Sequence, residues 1–193
     1  MRKYFIAGLL LLAAIAPAGC IFEPRTPETP GGGSDQYPWI VPTRPKDVFV
    51  NLTSGLASNL DSNYERSLDQ AYTFIPSADA ENIYPGSFDG WTKAVELDVL
   101  ARIKTLYVGE RTVQFGDANL NFTHEDERVG LAIYEGTYTI TLNIGDGSVE
   151  TYAGIARFTI IQGTQGWVLS IWEDIEPSGT NPTSGILRGA LRA

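Results

Sequence analysis

Soft and switchable side chains are almost missing from this chain of 193 residues, which holds one Cys, one His and one Met. A disulfide framework needs paired cysteines, so none is available. A Cys₂His₂-type zinc site and a Cys–His dyad are excluded in the folded part for the same reason. Positive charge is also scarce: 14 Lys and Arg stand against 23 Asp and Glu, a net charge of −9. Nucleic-acid binding needs clustered Lys and Arg to release counterions, so that partner is excluded. No acidic loop has the Asp-x-Asp-x-Asp-Gly spacing that wraps a cation, so no metal and no cofactor is expected. Against these absences, 43% of the residues are apolar and 19% charged, the balance of a globular protein.

The N-terminus has its own logic. Arg2 and Lys3 precede an apolar run from Tyr4 to Ala16, and Pro17-Ala18-Gly19 leads to Cys20. A basic start, an apolar run and small residues form a secretory signal. The run is short for a helix crossing ~30 Å of hydrocarbon. Ala18-Gly19 before the only Cys resembles a bacterial lipobox, with Pro17 where Leu is usual. That resemblance implies cleavage after Gly19, a diacylglycerol on the Cys20 thiol and an acylated N-terminus. Ile21 rather than Asp follows, which points to the outer membrane, with the domain facing the periplasm.

Residues 20–43 read as a flexible tether. Pro24, Pro27, Pro30, Pro38 and Pro42 lie in it with Gly31-Gly32-Gly33-Ser34, and few side chains there can bury area. Such a segment cannot offset its ordering entropy and spans ~25–30 Å as a coil. Tyr37, Trp39 and Ile40 are the exception, placed to pack along the domain or to meet lipid headgroups, with packing favoured.

From residue 44 to 193 the periodicity predicts one α+β domain. Val48, Phe49, Leu52, Leu56 and Leu60 form one helical stripe, and Tyr64, Leu68, Ala71 and Tyr72 a second. Phe74-Ile75-Pro76 reads as a short extended piece and 77–86 as loop. A long helix is expected over 88–107, with Trp91, Val95, Val99, Leu100, Ile103, Leu106 and Tyr107 on one half of its wheel. Four to five antiparallel strands follow. Residues 111–122 alternate loosely, and 123–127 reads as a charged turn. The offset between Leu131/Ile133 and Tyr138/Ile140/Leu142 predicts a bulge at Glu135-Gly136. Gly145-Asp146-Gly147-Ser148 is a hairpin turn.

Two stretches carry a resemblance. Gly154-Ile155-Ala156-Arg157-Phe158-Thr159-Ile160 and Gly166-Trp167-Val168-Leu169-Ser170-Ile171-Trp172-Glu173-Asp174, in this element order, resemble the nuclear transport factor 2-like superfamily of SnoaL-like and ketosteroid-isomerase-like proteins. The resemblance covers about residues 44–192. It implies a cystatin-like cone: a strongly curved antiparallel sheet wrapped on the long helix, with two further N-terminal helices. Lipoproteins of this group often end in a Ser-Trp-Gly-x-Leu-like tail, which Thr183-Ser184-Gly185-Ile186-Leu187 resembles with Ser184 in the Trp position.

Phe74, Trp91, Tyr107, Phe115, Tyr134, Tyr138, Phe158 and Trp172 are the candidates to line the cone or fill its core. Asp98, four residues before Arg102, and His124 are the candidate acid–base groups, set against a rim ion pair and a surface His. No inward-pointing acid pattern is evident. The expected function is therefore a tethered, non-catalytic domain binding a small apolar ligand or a protein partner, with a homodimer through the sheet face as one form of the latter. The alternative is an isomerase, dehydratase or hydrolase acting inside the cone.

Overall fold

The computed structural model describes residues 39–58, 61–116 and 122–193. The signal, Cys20 and nearly all of the tether lie outside the described residues. Trp39 to Pro42 run along the domain. The Asn51 side chain bonds both the N–H and the C=O of Ile40, Arg66 sits 4.0 Å over the Trp39 ring, and the Trp167 N–H donates to the Pro42 carbonyl.

Helix α1 (Pro45–Ala57) starts at a Pro in its first turn, with Asp47 accepting the Arg44 N–H. Its buried stripe is Val48, Phe49, Leu52 and Leu56, as the i, i+4 spacing requires. Helix α2 (Asp61–Ser67) runs directly into strand β1 (Leu68–Ile75). The sequence extends this helix to Tyr72, and the structure corrects it. Leu68 and Tyr72 are both buried because the register of β1 shifts between Leu68 and Thr73, with Asp69 accepting the Ala71 N–H across the irregularity. A bulged strand here imitates helical spacing.

Helix α3 (Ala78–Ile83) lies within the expected loop. Ser77 caps it, and Ala80 is its one buried residue, so it carried no periodic signal. Helix α4 (Lys93–Leu106) begins later than expected, because Thr92 caps it by accepting the Val95 N–H. Trp91 therefore precedes the helix.

The sheet has six strands among the described residues: β1, β2 (Arg111–Phe115), β3 (Phe122–Asp126), β4 (Leu131–Asn143), β5 (Val149–Gly163) and β6 (Gly166–Pro177). Their order is β1-β6-β5-β4-β2, with β3 also paired to β4, and β1 is parallel to β6. The expected charged turn is strand β3. It is an edge strand whose Thr123, His124 and Glu125 point to solvent, and charged edges hide strand character. The β4–β5 ladder is continuous from Leu131↔Ile161 to Asn143↔Val149, so Glu135-Gly136 holds no bulge. Leu131 and Ile133 are half-buried on the outer face, while Tyr138, Ile140 and Leu142 point inward. Gly136 keeps its inward position because a Cβ there would run into the Tyr134 ring. Register shifts fall instead between β5 and β6, at Ile155/Ala156 and Thr159/Ile160, and between β3 and β4 at Phe122/His124.

Helix α5 (Ser184–Arg192) closes the chain and packs against α3, α4 and β5. Gly185 and Gly189 let it approach: Cβ atoms there would meet Ala80 and the Tyr84 ring. Arg111 joins two helix ends, donating to the Leu56 carbonyl of α1 and the Tyr107 carbonyl beyond α4.

Candidate functional site

The concave side of the sheet is filled by aromatic rings. Phe158 is fully buried and has four ring neighbours: Trp172 at 4.9 Å, Phe49 at 5.3 Å, Phe115 at 5.4 Å and Tyr134 at 5.7 Å. A second group joins Phe74 to Trp91 at 5.4 Å and to Phe88 at 6.0 Å. All eight aromatic candidates, Phe74, Trp91, Tyr107, Phe115, Tyr134, Tyr138, Phe158 and Trp172, are buried. Of them, Phe115 and Trp172 line an interior void among the described residues, which measures about 20 Å³. That is room for a water molecule. Small-molecule sites run to ~300–1,000 Å³.

What closes the cone is α5. Leu187 and Arg188 enter it and line the void with Tyr64, Glu96 and Leu100. Glu96 belongs to the buried stripe of α4, with Val99, Leu100 and Ile103. Arg188 Nη2 donates to Glu96 Oε1 at 2.7 Å and Nε to Oε2 at 3.1 Å. The two side chains are 5% and 3% exposed. Tyr64 Oη donates to Glu96 Oε1 at 2.7 Å, and Trp91 Nε1 to Oε2 at 3.0 Å. The guanidinium carbon lies 4.4 Å from the Phe74 ring centre and 4.5 Å from that of Trp172. Burial by itself would lower the Arg188 guanidinium, but Glu96, Tyr64 and Tyr72 together outweigh it and hold it well above its ordinary value. Burial, reinforced by Glu96, pushes the Tyr64 and Tyr72 hydroxyls up.

A second buried acid fastens the start of α5. Asp174 accepts from Trp172 Nε1 at 2.9 Å, from the Ser184 hydroxyl at 2.9 Å and from the Gly185 N–H at 2.8 Å. Tyr138 Oη accepts the Ser184 N–H at 2.7 Å. Burial raises the Asp174 carboxyl, although Arg188 and these donors pull it down. The absence of an inward acid pattern is thus corrected: Glu96 and Asp174 both point inward. Glu96 stands four residues before Leu100 and seven before Ile103, on the same face of α4, where its charge sets it apart from its apolar neighbours.

The two acid–base candidates lie elsewhere. Asp98 bonds Arg102 at 2.9 Å, with side chains 64% and 55% exposed. With Trp91 taken as part of the helical stripe, the wheel puts this pair beside the buried face, whereas that face runs through Glu96, Val99, Leu100 and Ile103. Asp98→Ala should change stability by no more than ~0.5 kcal/mol, read by urea unfolding, because water and salt screen such a pair. His124 is exposed on the edge strand β3. No cluster of His, Cys, Asp and Glu able to hold a metal occurs among the described residues, and no helix among them is long and apolar enough to cross a membrane.

No family profile matches the chain, and no curated protein matches it. Solved structures do. A protein from Novosphingobium aromaticivorans described as nuclear transport factor 2-like with a cystatin-like fold matches with a TM-score of 0.52 and 11% identity, over 69% of this chain and 80% of its own. A candidate scytalone dehydratase from the same organism gives 0.53 and 12%, over 71% and 89%. A nuclear transport factor 2-like superfamily protein from Salmonella enterica serovar Typhimurium gives 0.51 and 12%, over 70% and 89%. At such identities the likeness speaks for architecture alone. The long helix in a curved sheet, the inward aromatic layer and these matches together give the domain the cystatin-like cone fold that those structures share.

Proposed function

We propose that the protein is a bacterial envelope lipoprotein, held through Cys20 in the outer membrane and facing the periplasm, whose cone domain is non-catalytic and engages a protein partner. The observation that carries this reading is the filled interior: among the described residues Leu187 and Arg188 pack into the concave side of the sheet and leave a void of about 20 Å³. A small apolar ligand would have to displace them. The face left for recognition is the outer surface of the sheet. There Arg157 bridges Glu135 at 2.9 Å and Glu173 at 3.2 Å, among Ile133, Ile155 and Ile171. A homodimer would pair this face with the same face of a second copy.

The alternative, an isomerase or dehydratase, rests on Asp174, a buried inward carboxyl with Tyr138 beside the same helix end. Both groups are engaged by the first residues of α5. Their hydrogen bonds would have to break before either could serve a substrate.

Two measurements test the proposal. The mature protein mixed with an apolar fluorescent probe such as N-phenylnaphthylamine should show no saturable binding, and saturable binding at one site per chain would contradict a closed cone. Separately, Cys20→Ala should move the protein from the membrane to the soluble fraction. Retention in the membrane would remove the anchor from the account.

A further inference from the structure

The Glu96 site is assembled without α5. Tyr64 from α2 and Trp91 from the segment before α4 each donate to one oxygen of the carboxylate, fixing its plane. Phe74 of β1 and Trp172 of β6 supply two ring faces, tilted 62° to each other, against which the occupant lies. A planar cation with paired N–H donors fits a fixed carboxylate under aromatic faces better than a compact ammonium does. Arg188 meets that description, and it stands on a helix of nine residues, Ser184–Arg192. Isolated helices of nine residues are marginal, and Gly185 and Gly189 weaken this one further.

Two features show that Arg188 does not use the site completely. The Tyr72 hydroxyl, fully buried and within electrostatic reach of Glu96 and Arg188, has no hydrogen-bond partner among the described residues. The void of about 20 Å³ borders Tyr64, Glu96, Trp172 and Arg188. A pair serving only to fill the core would be expected to leave neither an unpaired hydroxyl nor a space beside the charge.

We propose that the interior of the cone is a guanidinium-binding site, whose resident occupant is Arg188 and which takes a small alkylguanidinium cation when that side chain is withdrawn. The site stands independently of the anchor and of the partner face.

The Arg188→Ala variant tests it, because the atoms it removes correspond to ethylguanidine. At ~10 mM, ethylguanidine should raise the melting temperature of this variant by about 3–6 °C, the shift for binding near millimolar strength. Ethylammonium at equal concentration should give much less, and wild type should not respond. The shift should vanish in Glu96→Gln/Arg188→Ala. Equal responses to both cations, no response, or a response that survives loss of the carboxylate would each overturn the proposal. If Arg188→Ala does not fold alone, refolding in ethylguanidine becomes the readout: recovery of the native circular dichroism supports the site, and failure to recover it overturns it. Withdrawal is tested in Asp174→Asn, which unfastens α5 and leaves Glu96, Tyr64 and Trp91 in place. There ethylguanidine should speed amide exchange across residues 186–190, and an unchanged rate would show that Arg188 is not exchangeable.

Discussion

Glu96→Gln is expected to lose about 3–5 kcal/mol of stability in urea unfolding, the cost of leaving one member of a buried ion pair uncompensated. Glu96 accepts four hydrogen bonds, two from Arg188 and one each from Tyr64 and Trp91. A Gln amide keeps one accepting oxygen and turns an NH₂ toward donors. The guanidinium, buried against Phe74 and Trp172, then loses the carboxylate it is bonded to. Its burial is the deciding factor, since the exposed Asp98–Arg102 pair of similar length contributes almost nothing. The same logic predicts strong coupling. Arg188→Met, which preserves stem volume between the rings, should recover part of the loss when added to Glu96→Gln, because the unpaired charge is gone. Simple addition of the two single losses would mean that the pair does not act as a unit.

Phe158→Ala should cost about 3–5 kcal/mol, the range for removing a fully buried aromatic ring. The ring is 0% exposed and is held by neighbours on α1, β2, β4 and β6. No single flexible side chain can collapse into the vacated space, so a cavity should remain. Apolar cavities of this kind stay dry and take up benzene. Benzene should therefore raise the melting temperature of Phe158→Ala and leave wild type unchanged. A benzene response in wild type would show that the cone already has an open apolar chamber.

These two effects sit on residues that were unequally visible in the sequence. Phe158 was legible: it alternates with Ala156 and Ile160 in a strand whose other face carries Arg157 and Thr159, and period two reports burial directly. The α1 stripe was legible for the same reason at period 3.6. Leu131 and Ile133 misled, because apolar residues half-buried on the outer face break the alternation without bending the strand. Glu96 was concealed by its own charge. An acid on a buried stripe makes sense only beside its cation, and that cation is 92 residues away in a tail with two glycines and little helix signal. Long-range pairing of this sort leaves no local pattern. The resemblance to the cone fold placed the sheet and the long helix. It did not place α5, because Ser184 stands where the familiar tail has Trp. Here the tail enters the cone through Leu187 and Arg188 instead.

The central claim is that α5 is an integral part of the cone, held inside it by Glu96 and Asp174. Amide hydrogen exchange on Leu187, Arg188 and Gly189 of the wild-type mature protein tests this most directly. The account predicts protection factors on the order of 10²–10⁴, as for buried, cooperatively held helix, falling sharply in Glu96→Gln. Exchange of these amides near the rate of an unstructured peptide, with the rest of the domain protected, would contradict it.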